Sequence, residues 1–435
     1  MIRASAALAL CATFLITQPV RGQAQPAQPV FPSATVVTLS NGVVIAAQST
    51  PDTPLVGAQV FFPAGLAQQP AGQAGVAAVA AAMVLQTKVE GDADLSVLAK
   101  RLGAQVTYTI DPQDTRFYIE CTASDLPRLL HDLSTVIAAP DSATFATARA
   151  AALDTANAAI KDPVLTSYAM IRQVEYQGTG FAHPDAGGAI SLGALAASDA
   201  LAFSGQYRIG AGTVVALAGN VTDAALGAAK AAFAGFSAAA GRKTADQASL
   251  TRGHEVVAHR DVASPWIAIG YPAPSQYSAD FPAMLVIEAL LGRGGDVHTF
   301  SFGSDVTPPS DFVGGYYQFE AQPGTFVEFY NGANVDQDLR DLSDGVARLR
   351  GGKLPDDLLK RAKQAALGDF LTSVTTLDDQ SWLLGRAAAS PSGVAFENAL
   401  PGRIAGVTGA DVQRVAQEYL AIQTVAVVLP NGVGQ

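Results

Sequence analysis

Bond-breaking chemistry needs lone pairs held at fixed spacing, and this chain offers few of them. The one stretch with the donors of a metal site is His254, Glu255 and His259. On a helix, His-Glu-x-x-His binds zinc and supplies a base for water. Here three residues separate Glu255 from His259, and the intervening Val256 and Val257 read as strand. On a strand, positions 254 and 259 point to opposite faces. This stretch is the only candidate metal site the residues offer.

No Ser/His/Asp order, Cys/His pair or phosphate loop stands out. Gly292, Gly294 and Gly295 cluster without the Lys-Ser/Thr that phosphate binding needs. That glycine run, just before His298, reads either as a turn or as a backbone surface for an extended peptide. Tyr316 and Tyr317 are neighbours on a strand, so one at most faces a cavity. A core tyrosine with a satisfied hydroxyl fits that position equally. His183, before Pro184 in a glycine-rich loop, reads as loop shaping, and His131 as surface or packing on a helix.

The elements that must carry these residues follow from periodicity. Two strands, 35–39 and 43–48, are joined by Ser40, Asn41 and Gly42, residues that tolerate a tight hairpin. A strand at 55–63 precedes a helix at 73–87, and 92–102 forms an amphipathic helix stopped by Gly103. Alternating strands at 104–110 and 116–121 lead into helices at 126–138, 142–161 and on to 176. A helix at 197–207, a strand at 214–218 and a helix at 223–236 complete the half. Residues 237–252 are small, polar and aperiodic, hence a linker. The second half repeats the order: strands at 254–259 and 265–274, a helix at 280–291, strands at 314–320 and 325–330, helices at 336–349, 355–371, 378–389 and after Thr408, and a strand at 424–429.

With 435 residues, 49% hydrophobic and 15% charged, the chain buries a sizeable core in two domains. Residues 1–24, with Arg3 before an apolar run and small residues near Ala24, read as a secretory signal peptide, followed by a spacer at 25–33. The first domain then covers 34–236 and the second 253–435. Cleavage near Ala24 leaves Cys121 as the only cysteine, so no intrachain disulfide is expected. It also removes Arg3 and Arg21, leaving 25 basic against 38 acidic residues and a net charge of about −13. Nucleic acid is not an expected partner at that charge. No later segment has the length and apolarity of a membrane span, so stable membrane insertion is not expected. The signal segment leads one to expect a location outside the cytoplasm, either a periplasm or the outside medium, with the periplasm favoured by the signal type.

The common order of weak signals gives the reading its direction. A strand ending in Phe62, Pro63, Ala64 and Gly65 precedes the helix at 73–87, whose start holds Gly75. His183-Pro184, the run 214–220 ending in Gly219 and Asn220, the stretch 265–274 and the closing helix with Tyr419 follow at matching spacing. In this order the chain resembles the pitrilysin or insulinase-like (M16) metallopeptidase family along nearly the whole mature sequence. The resemblance implies an α+β fold of two similar domains, each a mostly antiparallel sheet with helices packed on one face. It also implies two chains closing like a clamshell around an unfolded peptide. In such pairs one chain carries zinc and the other lacks it.

What the family places on its first helix is absent here. Its inverted motif, His-x-x-Glu-His, falls on Ala78, Ala81 and Ala82, which have no lone pair to give. The third ligand, a glutamate on the helix at 142–161, is missing as well. No glutamate occurs between Glu120 and Glu175, and the nearby positions read Asp154, Thr155 and Asn157. Zinc-less partners of the family supply an arginine and a tyrosine seven positions apart. Tyr316 or Tyr317 fits the tyrosine, but the arginine position reads Pro309 or Ser310. The resemblance therefore implies a subunit with no metal of its own that pairs with a zinc-bearing M16 chain, and zinc is expected on that partner. Tyr316, Tyr317, Gly292, Gly294 and Gly295 are the expected substrate contacts. The readings left beside it are a stand-alone peptide-binding scaffold and an active enzyme using His254 and His259.

Overall fold

A computed structural model describes residues 29–91, 93–239, 253–291, 313–317, 324–332 and 334–432. The first half runs β1 (Thr35–Thr38), β2 (Val44–Ser49), β3 (Leu55–Phe62), α1 (Val76–Gln86), β4 (Lys88–Glu90), β5 (Ala93–Asp94), α2 (Leu95–Arg101), β6 (Gln105–Ile110) and β7 (Thr115–Thr122). It continues with α3 (Leu126–Ala138), α4 (Phe145–Ala159), α5 (Pro163–Glu175), α6 (Ala189–Ala194), α7 (Ala197–Ser204), β8 (Val214–Gly219) and α8 (Asp223–Phe233). The second half has β9 (His254–Arg260), β10 (Trp266–Ala273), α9 (Phe281–Leu291), β11 (Val313–Tyr317), β12 (Gly324–Asn331) and α10 (Val335–Gly351). It closes with α11 (Asp356–Thr372), α12 (Leu377–Ala389), α13 (Val394–Gly406), α14 (Gly409–Tyr419) and β13 (Thr424–Pro430).

Each half forms one large sheet. The first is ordered β1-β2-β8-β3-β7-β6 and the second β11-β12-β10-β13-β9. With β1 set aside, the second order is the first read backwards, element for element. The pairing sense agrees too: β2 with β8 and β13 with β9 are parallel, and the remaining neighbours are antiparallel. The fold is the α+β arrangement of two like halves that the sequence led us to expect.

The period-2 pattern of β3 explains its two faces. Val56, Val60 and Phe62 point into a core with α1, Leu129 and Leu133 of α3, and Phe233 of α8. Gly57, Gln59 and Phe61 point the other way and meet α12, which belongs to the second half. The second sheet returns the exchange. Ile267, Ile269 and Tyr271 of β10 face α9, while Ala268 joins Ile171 of α5, from the first half, in a separate core with Val327 and Phe329. Each sheet therefore carries its own helices on one face and a single helix from the other half on the opposite face. Glycine makes both crossings close. A Cβ on Gly385 would lie 2.2 Å from the Phe61 ring, and one on Gly270 would lie 2.3 Å from Ile171 Cγ2.

Helix α13 is one the sequence reading left unassigned. It holds Pro401 in its interior, where the ring removes one backbone hydrogen bond. Burial of Phe396, Leu400 and Ile404 in the second core holds it helical.

Candidate functional site

Helix α1 begins at Gly75, whose φ of +94° lies in the left-handed region. A side chain there would also meet the Ala186 carbonyl at 2.7 Å, so the loop before α6 closes directly over the helix start. The first N–H groups of a helix lack intrahelical partners. Here Gln69 supplies one: its Oε1 accepts from the Gly75 N–H (2.8 Å) and the Ala77 N–H (3.2 Å), and its Nε2 lies 3.4 Å from His183 Nδ1.

From Val76 to Leu85 every side chain of α1 is buried. Ala78, Ala81 and Ala82 retain 6%, 0% and 4% of their exposure, so all three are packed core. Opposite it, α4 turns in Ala148, Ala152 and Ala156. Asp154, Thr155 and Asn157 on the same helix are exposed. Methyl groups pack against methyl groups at the positions where the resemblance leads one to expect a metal site.

A cleft of about 300 Å³ opens beside this alanine contact. It is lined by Thr155 and Ala156 of α4, Leu165 and Met170 of α5, His183, and Arg260 from the second half. Arg172 also borders it but is fully engaged. Its Nε and Nη2 donate to the Phe181 carbonyl, and its Nη1 pairs with Asp185 at 2.7 Å. Arg172 thus pins the loop that covers α1. Half-burial, followed by the Arg172 charge, pushes the His183 pKa down, so the ring is neutral at neutral pH. A second groove of about 470 Å³ continues from the cleft between α5 and β9, sharing Met170 and Gln173 with it.

The residues singled out in the sequence are scattered. Tyr317 is buried at 2% exposure against the ring of Phe281, and its hydroxyl donates to the Pro274 carbonyl. Tyr316 is on the same strand, β11. Gly292, Gly294, Gly295 and His298 lie outside the described residues, as do Pro309 and Ser310. His254 and His259 both lie on β9, at positions of opposite parity. His131 is at the surface, and Cys121 is buried, with its thiol pushed up to about 12 by that burial. Among the described residues, no three His, Cys, Asp or Glu side chains are grouped to hold a metal ion.

Sequence reasoning missed Gln69, Arg172, Arg260 and Glu175. Gln69 and Arg172 act through backbone groups of loops, which leave no periodic trace. Arg260 meets the first half only through the tertiary fold. Glu175 ends α5, and its buried partner Thr325 is 150 positions away.

Two like halves, each an antiparallel-rich sheet with an exchanged helix, define the class: the fold is that of the M16 peptidases. The chain is similar to a protease from Helicobacter pylori, with a TM-score of 0.83 at 17% identity over 93% of this chain and 100% of that one. It is similar to an M16 peptidase inactive domain from Pseudomonas fluorescens, with a TM-score of 0.80 at 17% identity, covering 92% and 98%. A chain of complex III2 from Candida albicans gives 0.73 at 16% identity, covering 91% and 95%. No family model and no curated protein matches the sequence.

Proposed function

We propose that this chain is a non-catalytic M16-like subunit that pairs with a zinc-bearing M16 peptidase and forms half of a chamber for unfolded peptides. The observation that carries the reading is the packed contact between α1 and α4, in which Ala78, Ala81 and Ala82 share a core with Ala148, Ala152 and Ala156 and none of the six has a side-chain lone pair. Two histidines, a glutamate base and a third ligand are all replaced. Losing one ligand weakens a metal site, whereas losing all of them removes it. The likeness to a chain described as an M16 inactive domain supports this reading, and the complex III2 chain shows the same fold within a larger assembly. Hydrolysis then belongs to the partner, while this chain contributes walls and peptide contacts.

Cleavage of a quenched, unstructured peptide provides the test, using this chain alone, a zinc-bearing M16 chain from the same organism, and the two mixed. The expected result is cleavage by the mixture well above either chain alone, abolished by a chelator. Cleavage by this chain alone with bound zinc would overturn the reading.

A further inference from the structure

The two sheets match strand for strand except at one edge. In the first, β2 carries β1 on its outer side, antiparallel, with Thr35 opposite Ala47 and Thr38 opposite Val44. In the second, the counterpart of β2 is β9, and no described strand lies beyond it. Its outward backbone groups can be assigned. The His254 N–H donates to Gln423 O, and the Arg260 carbonyl accepts from the Asn431 N–H, so 254, 256, 258 and 260 face β13. Alternation then directs the N–H and C=O of Glu255 and Val257 out of the open edge. Val257 is 51% exposed. The groove of about 470 Å³ runs along this edge.

What fills the same place in the first half shows what would fit. Upstream of β1, Phe31 is buried in the core that includes Ala46, Val214 and Ala216. The Phe31 N–H donates to Asn398 Oδ1 at 2.7 Å, and the Ser33 N–H donates to Gln48 Oε1. Because β1 runs antiparallel to β2, Phe31 sits beyond the C-terminal end of β2. The corresponding place in the second half, beyond Arg260, is the cleft of about 300 Å³ with Ile160, Leu165 and Met170 on its wall. Along the groove Gln173 and Gln177 offer neutral amides, and at the cleft Arg260 donates through Nη1 to the His259 carbonyl. The charge of Arg172 is already matched by Asp185.

We propose that the β9 edge and its groove dock an extended, uncharged segment of an unfolded peptide, which adds antiparallel to β9 and places an aromatic side chain, upstream of the paired residues, in the cleft. Backbone hydrogen bonds supply affinity and the cleft supplies selectivity. This deepens the peptide-holding reading above and rests on it.

The test uses a fluorescein-labelled synthetic peptide with the sequence of residues 29–40, which fills the equivalent place in the first half, and fluorescence anisotropy on the purified protein. Saturable binding is expected. Val257→Pro removes an outward N–H that an edge strand can spare, and should weaken binding at least ~10-fold with an unchanged melting curve. Leu165→Asp in the cleft, and serine in place of phenylalanine in the peptide, should each do the same. Equal binding by Val257→Pro, or no saturation up to about 1 mM peptide, would overturn the proposal. So would cross-linking at position 257 that captures a segment of the partner chain instead of the peptide. Running the mixed-chain cleavage assay beside it separates the two readings: binding without cleavage sinks the pairing alone, and cleavage without binding sinks the groove alone.

Discussion

Glu175 shows how a single buried carboxyl makes stability depend on pH. Its Oε2 accepts from the Thr325 hydroxyl, and Tyr176 donates in turn to Thr325 at 2.9 Å. Burial against β10 raises its pKa from the ordinary 4.5 to about 8. The unfolded chain releases this proton near pH 4.5, while the folded chain holds it until about 8, so stability is lost as pH rises through that window and levels off above it. Each unit of that difference is about 1.4 kcal/mol. Glu328, also buried and raised to about 8, adds a share of the same sign. Replacing Glu175 with Gln should therefore raise the melting temperature relative to the parent at pH 8.5 and much less at pH 5. A difference that stays constant between those two values would count against this account of Glu175.

At the scale of the element, α1 is held by shape. Its alanines let α4 approach closely, and Gln69 and the loop pinned by Arg172 close its start. Placing histidines at Ala78 and Ala82 inserts two rings into filled space, and overpacking costs typically ~1–3 kcal/mol per site. The double variant should melt lower and take up no zinc on dialysis, because α4 still offers no third ligand. Stoichiometric zinc measured by atomic absorption would show that the site is less degenerate than its packing implies. The helix itself was legible in the sequence, since an alanine-rich apolar run of this length, longer than an ordinary buried strand, favours helix. Helix α13 was not, because Pro401 is a breaker by local rules and only the packing of Phe396, Leu400 and Ile404 overrides them.

For the molecule as a whole, the exchange of α5 and α12 joins the halves into one folding unit. Gln59 of β3 donates to the Asp378 carbonyl of α12, and Arg386 of α12 donates to Gln276 and lies 3.9 Å from Asp114, at the turn between β6 and β7. Burial raises the pKa of Asp114 to about 6 despite that cation. Separating the halves would bare one face of each sheet and strand these groups. Calorimetry of the protein should therefore give a single transition whose calorimetric and van't Hoff enthalpies agree. Two resolved transitions would mean that the crossing helices contribute little.

The sequence alone determined the alternation of strands and helices, their repetition in two halves, and the absence of donors at Ala78, Ala81 and Ala82. These are properties of side-chain type and short-range spacing, which one chain states outright. Only the tertiary structure decided that α5 and α12 cross to the opposite sheets, that Tyr317 is core, and that among the described residues no strand covers β9 where β1 covers β2. Those features depend on contacts far apart in sequence, from Tyr317 with Pro274 to Glu175 with Thr325 and Gln59 with Asp378. Local periodicity gives which face of an element is apolar, but not which other element will cover it.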